Sequence, residues 1–156
     1  MARMTYISDE PVESKGEKRI RIILAVLFFI QTILTTFTFI QGDDGEGNYV
    51  NLTAFNMLVQ PEGYATAQDF YLAIFGGILV LCPIVAFMFC ILDKKSKIKY
   101  IATGLCSIIC AVVITFGIGT GLGIGALMTL LFNIATLFLT SMGFLATNMR
   151  QKEAQA

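Results

Sequence analysis

The sequence predicts an all-α integral membrane protein: a four-helix transmembrane bundle, N-in/C-in, with a small outer loop region between helices 1 and 2. Three observations predict it. First, apolar residues make up 56% of the chain and gather in four blocks, at 20–40, 70–92, 98–118 and 124–147. Each is close to the roughly 20 residues that a helix needs to cross about 30 Å of hydrocarbon. Second, no block has a charged residue in its interior and the chain has no His; charged residues are 14% of the total, against about 25% in ordinary soluble domains. Third, every Lys and Arg falls in three places: Arg3, Lys15, Lys18, Arg19 and Arg21 in the N-terminal tail and at the edge of the first block, Lys94, Lys95, Lys97 and Lys99 around the connection between the second and third, and Arg150 and Lys152 after the fourth. Basic residues in short loops stay on the cytoplasmic side, so the termini and the 2–3 connection are expected there.

The elements follow in order. Residues 1–19 form a polar cytoplasmic tail with too little apolar surface to fold alone. The first span, 20–40, follows a basic stretch as a secretory signal would. Its apolar run exceeds the roughly 7–15 residues of a signal core, and its exit at Phe37-Thr38-Phe39-Ile40-Gln41-Gly42 lacks a small-residue cleavage site, so it is read as a retained helix. The outer loop, 41–69, opens with the turn-rich run Gly42-Asp43-Asp44-Gly45-Glu46-Gly47-Asn48 and closes at Gln60-Pro61-Glu62-Gly63-Tyr64. The apolar patch from Tyr49 to Val59 between these turns is either a short strand or an interfacial segment with its aromatic rings at the headgroups. Pro83 is expected to kink the second span, 70–92, by removing a backbone bond. Residues 93–97 make a tight cytoplasmic hairpin into the third span, 98–118. A Gly-rich outer turn, 119–123, leads to the fourth span, 124–147, and a short tail, 148–156.

Polar residues inside the spans are few and patterned. Thr129, Asn133, Thr136 and Thr140 recur every three or four residues and so share one helix face. Gln31, Thr35 and Thr38 form a matching stripe on the first span. Antiparallel packing then sets Thr38 beside Thr129 near the outer surface, Thr35 near Asn133 and Gln31 near Thr136. We expect a seam between spans 1 and 4 with Gln31 and Asn133 hydrogen-bonded across it, serving as packing or as a polar groove for a ligand or permeant. Gly117, Gly121 and Gly125 repeat every four residues, a spacing that permits close helix packing; the Gly-rich run that holds them lacks the Lys of a phosphate loop.

Catalytic groups are scarce. The four cysteines, Cys82, Cys90, Cys106 and Cys110, all lie in spans. Cys106 and Cys110 share a face at the depth of Cys82, which is compatible with a thiol cluster, yet small apolar packing is the expected role and no metal site or cofactor is assigned. Asp43-Asp44-Gly45-Glu46 lacks the alternating ligand spacing of a calcium loop and reads as an acidic turn. Asn51-Leu52-Thr53 is a glycosylation triplet with meaning only in a eukaryotic secretory pathway. Without an intramembrane charge or a nucleophile–base pair, enzymatic activity and proton-coupled transport by this chain alone are not expected.

The basic entry Lys18-Arg19-Ile20-Arg21, the hairpin Asp93-Lys94-Lys95-Ser96-Lys97 and the outer segment Ala54-Phe55-Asn56 give the chain a layout that resembles small four-span proteins of bacterial plasma membranes. The resemblance lies in topology and charge, and it implies location and no activity. The expected function is that of a non-enzymatic structural or accessory subunit acting through helix–helix contacts. The alternative is a small channel or transporter component using the polar seam. Expected partners are the lipid bilayer and either further copies or another membrane protein, with no nucleic acid.

Overall fold

The computed structural model describes residues 13–43, 49–59, 67–94, 96–118 and 121–153. Expectations placed on the tail to residue 12, on Asp44–Asn48 of the acidic turn, on the turn from Gln60 to Tyr64, on Lys95, on Gly119-Thr120 and on residues 154–156 lie outside these. The described chain is mostly helical. Helix α1 spans Lys15–Leu34, strands β1 Thr38–Asp43 and β2 Tyr49–Thr53, short helix α2 Ala54–Val59, and α3 Ala67–Leu92. After these come α4, Ile98–Val112, continued by a π-helical stretch Val113–Ile118, and α5, Ile124–Glu153. Three helices are long and apolar enough to cross a membrane: Tyr71–Leu92, Ile98–Ile118 and Ile124–Glu153.

Helix α1 departs from the predicted first span at both ends. It starts early because Ser14 caps it: the Ser14 hydroxyl accepts from the Glu17 N–H at 3.2 Å, and the Glu17 carboxylate accepts from the Ser14 N–H at 2.8 Å. It stops at Leu34 because Thr hydroxyls take over the last carbonyls. Thr32 donates to the Phe28 carbonyl, Thr35 to Thr32 and Thr36 to Ile33, at 2.7–2.9 Å. The β-branched and aromatic run that follows then enters a strand, not a sixth helical turn. Thr38 therefore belongs to β1 and not to the first helix.

The outer segment turns out to be both strand and helix. β1 pairs antiparallel with β2, Ile40 opposite Leu52 and Gln41 opposite Asn51, with a bulge between Thr38 and Ile40. The other edge of β1 is covered by the Gly-rich turn: the Gln41 N–H donates to the Gly121 carbonyl at 2.7 Å, and the Gly123 N–H donates to that of Phe39 at 2.9 Å. Gly121 adopts φ +76°, and a side chain there would strike the Gln41 carbonyl, so glycine is required on both counts. The Thr53 hydroxyl starts α2 by accepting from the Asn56 N–H at 3.0 Å, and α2 buries Ala54 and Met57 against α3.

The four long helices pack in a cycle: α1 on α3, α3 on α4, α4 on α5 and α5 on α1. Helix α3 runs without interruption through the buried Pro83. Near the β1–β2 pair, Phe39, Met57, Leu79, Cys110 and Ile114 form one apolar cluster. At the other end, where α1 begins and α5 finishes, Leu24, Phe28, Ala86, Cys90 and Tyr100 form a second.

Candidate functional site: a buried polar seam

Helix α5 presents a polar and small stripe inward. Gly125, Ala126, Thr129, Asn133, Thr136, Thr140, Gly143 and Thr147 are buried, while Leu131, Ile134, Phe138 and Leu145 are about 60% exposed or more. Helix α4 repeats the pattern with Thr103 and Ser107 fully buried and Ile101, Leu105 and Ile108 outside. α1 adds Gln31 and Thr35.

The structure brings Gln31 and Asn133 together: the Gln31 Nε2 donates to the Asn133 Oδ1 at 3.2 Å, with both residues 1% exposed. The Gln31 Oε1 and the Asn133 Nδ2 have no partner among the described residues. Exchanging O and N on both amides leaves the same tally, one bond made and one donor and one acceptor over.

The rest of the stripe divides differently from the expected register. Thr136 and Thr140 turn to α4, not to α1. The Thr136 hydroxyl donates to the Asn133 carbonyl at 3.0 Å, so the Ser107 hydroxyl donates to Thr136 at 2.8 Å. The Thr103 hydroxyl donates to the Lys99 carbonyl at 2.8 Å and accepts from Thr140 at 3.3 Å. Thr35 is buried but bonds within its own helix end, and Thr129 donates to the Gly125 carbonyl at 2.8 Å. Thr38 and Thr129 share no hydrogen bond. The seam is thus a three-helix junction, with α5 wedged between α1 and α4. Interhelical bonds in membranes average about 0.6 kcal/mol each, so the three across this junction contribute roughly 2 kcal/mol.

The glycines of the predicted packing repeat sit in three local structures: Gly117 in the π-helical stretch under the Phe75 ring, Gly121 in the turn, and Gly125 in the first turn of α5 against the Thr38 carbonyl. A helical repeat does not describe them, because the π-helical stretch and the turn intervene.

The seam ends in a cluster of charges that periodicity in the apolar blocks did not reveal. Glu17, 2% exposed, meets the Arg150 guanidinium at 3.0 Å. The Glu13 carboxylate bridges Arg21 at 2.9 Å and Lys99 at 3.2 Å, and Lys99 is itself 3% exposed. The Lys99 ammonium also donates to the Lys94 carbonyl at 3.1 Å, and the Tyr100 hydroxyl donates to the Glu17 carbonyl at 3.4 Å. Burial works to raise the Glu13 pKa, but the hydrogen bonds and charges of Arg21 and Lys99 outweigh it and hold the carboxyl below its ordinary value. The usable signal in the sequence was the spacing of Lys99, Thr103 and Ser107, four apart on one face.

Cys82 packs against the apolar cluster that holds Cys110, and all four cysteines are free. Among the described residues no group of three or more Cys, His, Asp or Glu is arranged to hold a metal ion. Chemically, the seam offers amide and hydroxyl groups and no nucleophile–base pair. Comparison with protein-family models, with characterised proteins and with solved structures found no match to this chain.

Proposed function

We propose that this protein is a non-enzymatic plasma-membrane protein that crosses the bilayer four times with both termini cytoplasmic. In this reading it acts as a structural or accessory subunit through helix–helix contacts, with copies of itself or with another membrane protein. The observation that carries the reading is the inverted polarity of α4 and α5, whose buried faces hold Thr, Ser, Asn and Gly while their exposed faces hold Leu, Ile, Met and Phe. A helix in water gains by the opposite arrangement, whereas lipid rewards this one. α1 serves as the fourth span because it packs on α3 and α5 and turns Ile22, Val26, Phe29 and Ile33 outward in the same way. Its charged first turns lie at the same end as the α3–α4 connection and Arg150, the arrangement that the positive-inside rule assigns to the cytoplasm. A groove of about 460 Å³ between α4 and α5, lined in part by Gly104, Leu105, Ile108 and Ser141, offers a neighbouring helix a close approach.

Purification from native membranes in mild detergent, followed by mass determination, tests this reading. A discrete homo-oligomer or a stoichiometric second membrane protein is expected; a monomer with nothing bound rejects it. Alkaline phosphatase fused after residue 156 is expected to be inactive and a fluorescent protein there bright; the reverse pattern rejects the orientation.

A second reading, a channel or transporter component, is favoured by the unpartnered Gln31 Oε1 and Asn133 Nδ2 inside the seam. Asn133→Leu separates the two. As packing, the seam loses its amide bond and strands Gln31, at about 1–2 kcal/mol, so the variant melts lower in detergent, and liposomes holding either protein leak no more than empty ones. Flux through the parent protein that Asn133→Leu abolishes would replace the first reading with the second.

A further inference from the structure

We infer that the groove between α1 and α3 is a binding site for an anionic phospholipid, with an acyl chain along its wall and the headgroup phosphate at Lys94 and Arg21. The groove has a volume of about 410 Å³. Val26 and Phe29 from α1 face Phe87 and Ile91 from α3, and the Phe29 and Phe87 ring centroids lie 5.9 Å apart, so its wall is apolar and partly aromatic. Arg21 and Lys94 line its mouth. Arg21 is pinned there by donating to the Cys90 carbonyl of α3 at 3.0 Å, while Nε and the other terminal nitrogen hold Glu13. The Lys94 ammonium is exposed and has no ion-pair partner among the described residues.

At this end Arg21 and Lys99 share the Glu13 carboxylate, Glu17 is paired with Arg150, and Lys94 lines the groove. The nearby Asp93 carboxylate accepts from the backbone N–H groups of Ser96 and Lys99, at 2.8 and 3.3 Å. Arg21, Lys94 and Lys99 against Glu13 and Asp93 leave one excess positive charge beside a lipid-facing apolar trough, the pattern that fits a negatively charged headgroup with a hydrocarbon tail. A second copy of the chain suits it less, since at this level it brings Lys15, Lys18, Arg19 and Lys97, which are cations too.

The inference rests on membrane embedding, and the test separates the two. The chain has no Trp, so Phe29→Trp places a single reporter in the groove and Phe138→Trp places one on the exposed face of α5. Each is reconstituted in phosphatidylcholine vesicles containing either brominated phosphatidylglycerol or brominated phosphatidylcholine. A Lys or Arg near a headgroup is worth about 1 kcal/mol, so the groove reporter is expected to favour the anionic quencher about fivefold. The α5 reporter should show no preference. Lys94→Gln, an exposed change, should return the groove reporter to near parity, and inorganic phosphate should not relieve the quenching. Equal quenching of both reporters by both lipids overturns the site and leaves embedding intact. Quenching of neither overturns both, and relief by inorganic phosphate overturns the lipid in favour of a free anion.

Discussion

Gly143→Val is expected to destabilise the protein by about 3 kcal/mol or more, the upper end of what overpacking a filled interior costs. Gly143 is buried on α5, directly beneath the Tyr100 ring. A Cβ at this position would fall 2.6 Å from Cζ and 2.8 Å from Cδ1 of that ring, well inside van der Waals contact. The ring has no easy retreat. Tyr100 is 1% exposed, packs with Leu24, Phe28 and Cys90, and has the Lys99 ammonium 5.2 Å from its centroid. Any shift of the ring also pulls its hydroxyl from the Glu17 carbonyl. For a chain of this size the loss corresponds to a fall of roughly 6–12 °C in Tm. Thermal unfolding in detergent measures it, and Tyr100→Ala in the same chain should recover part of the loss by removing the obstacle. Melting within 1–2 °C of the parent would show that Tyr100 does not lie over α5.

Glu13→Ala is expected to cost a similar amount, about 3 kcal/mol, for an electrostatic reason. The carboxylate is the shared partner of Arg21 and Lys99, and its loss leaves the Lys99 ammonium, 3% exposed, with the Lys94 carbonyl and the Tyr100 ring as its contacts among the described residues. Removing one member of a buried pair costs about 3–5 kcal/mol because the other charge stays behind, and the remaining carbonyl contact argues for the lower end. Adding Lys99→Met, which removes the stranded charge, should restore most of the stability. The same pair gives a pH signature. Glu13 has its pKa lowered in the folded protein, so its contribution is fully present above the ordinary value of 4.5 and is lost as pH falls through the depressed folded value. Tm of the parent should therefore drop as the medium is acidified below 4.5, and Glu13→Gln should flatten that part of the curve. An unchanged slope in the variant would assign the acid sensitivity to another carboxylate.

Much of the architecture was legible in the residues. The three later apolar blocks lie within α3, α4 with its π-helical extension, and α5, although α3 begins earlier, at Ala67, and α5 continues to Glu153, into the stretch expected as a tail. They were readable because the bilayer sets the length and composition of what crosses it, a constraint local to each segment. The spacing of Thr129, Asn133, Thr136 and Thr140 was enough to put them on one face, and all four are buried. The Gln31–Asn133 bond was also anticipated, since each is the largest polar side chain in its stripe.

What periodicity could not state is which neighbour a face meets. Thr136 and Thr140 bond to Ser107 and Thr103 of α4, and only the arrangement of three helices around α5 decides that. The early end of α1 depended on competition between helix and strand for Thr35 to Ile40. That competition is settled by β2 and by the Gly121 turn, the latter far along the chain, which complete the hydrogen bonds of β1 on both edges. The charge cluster joins Glu13, Arg21, Lys99, Glu17 and Arg150 from three separate stretches, and the residues alone showed only that basic groups flank the spans. The sequence by itself determined the solvent this protein is built for and the faces its helices hide, because those follow from hydrophobicity and helical repeat. The tertiary structure decided the pairing of those faces, because long-range packing, not local preference, selects which buried polar group finds which partner.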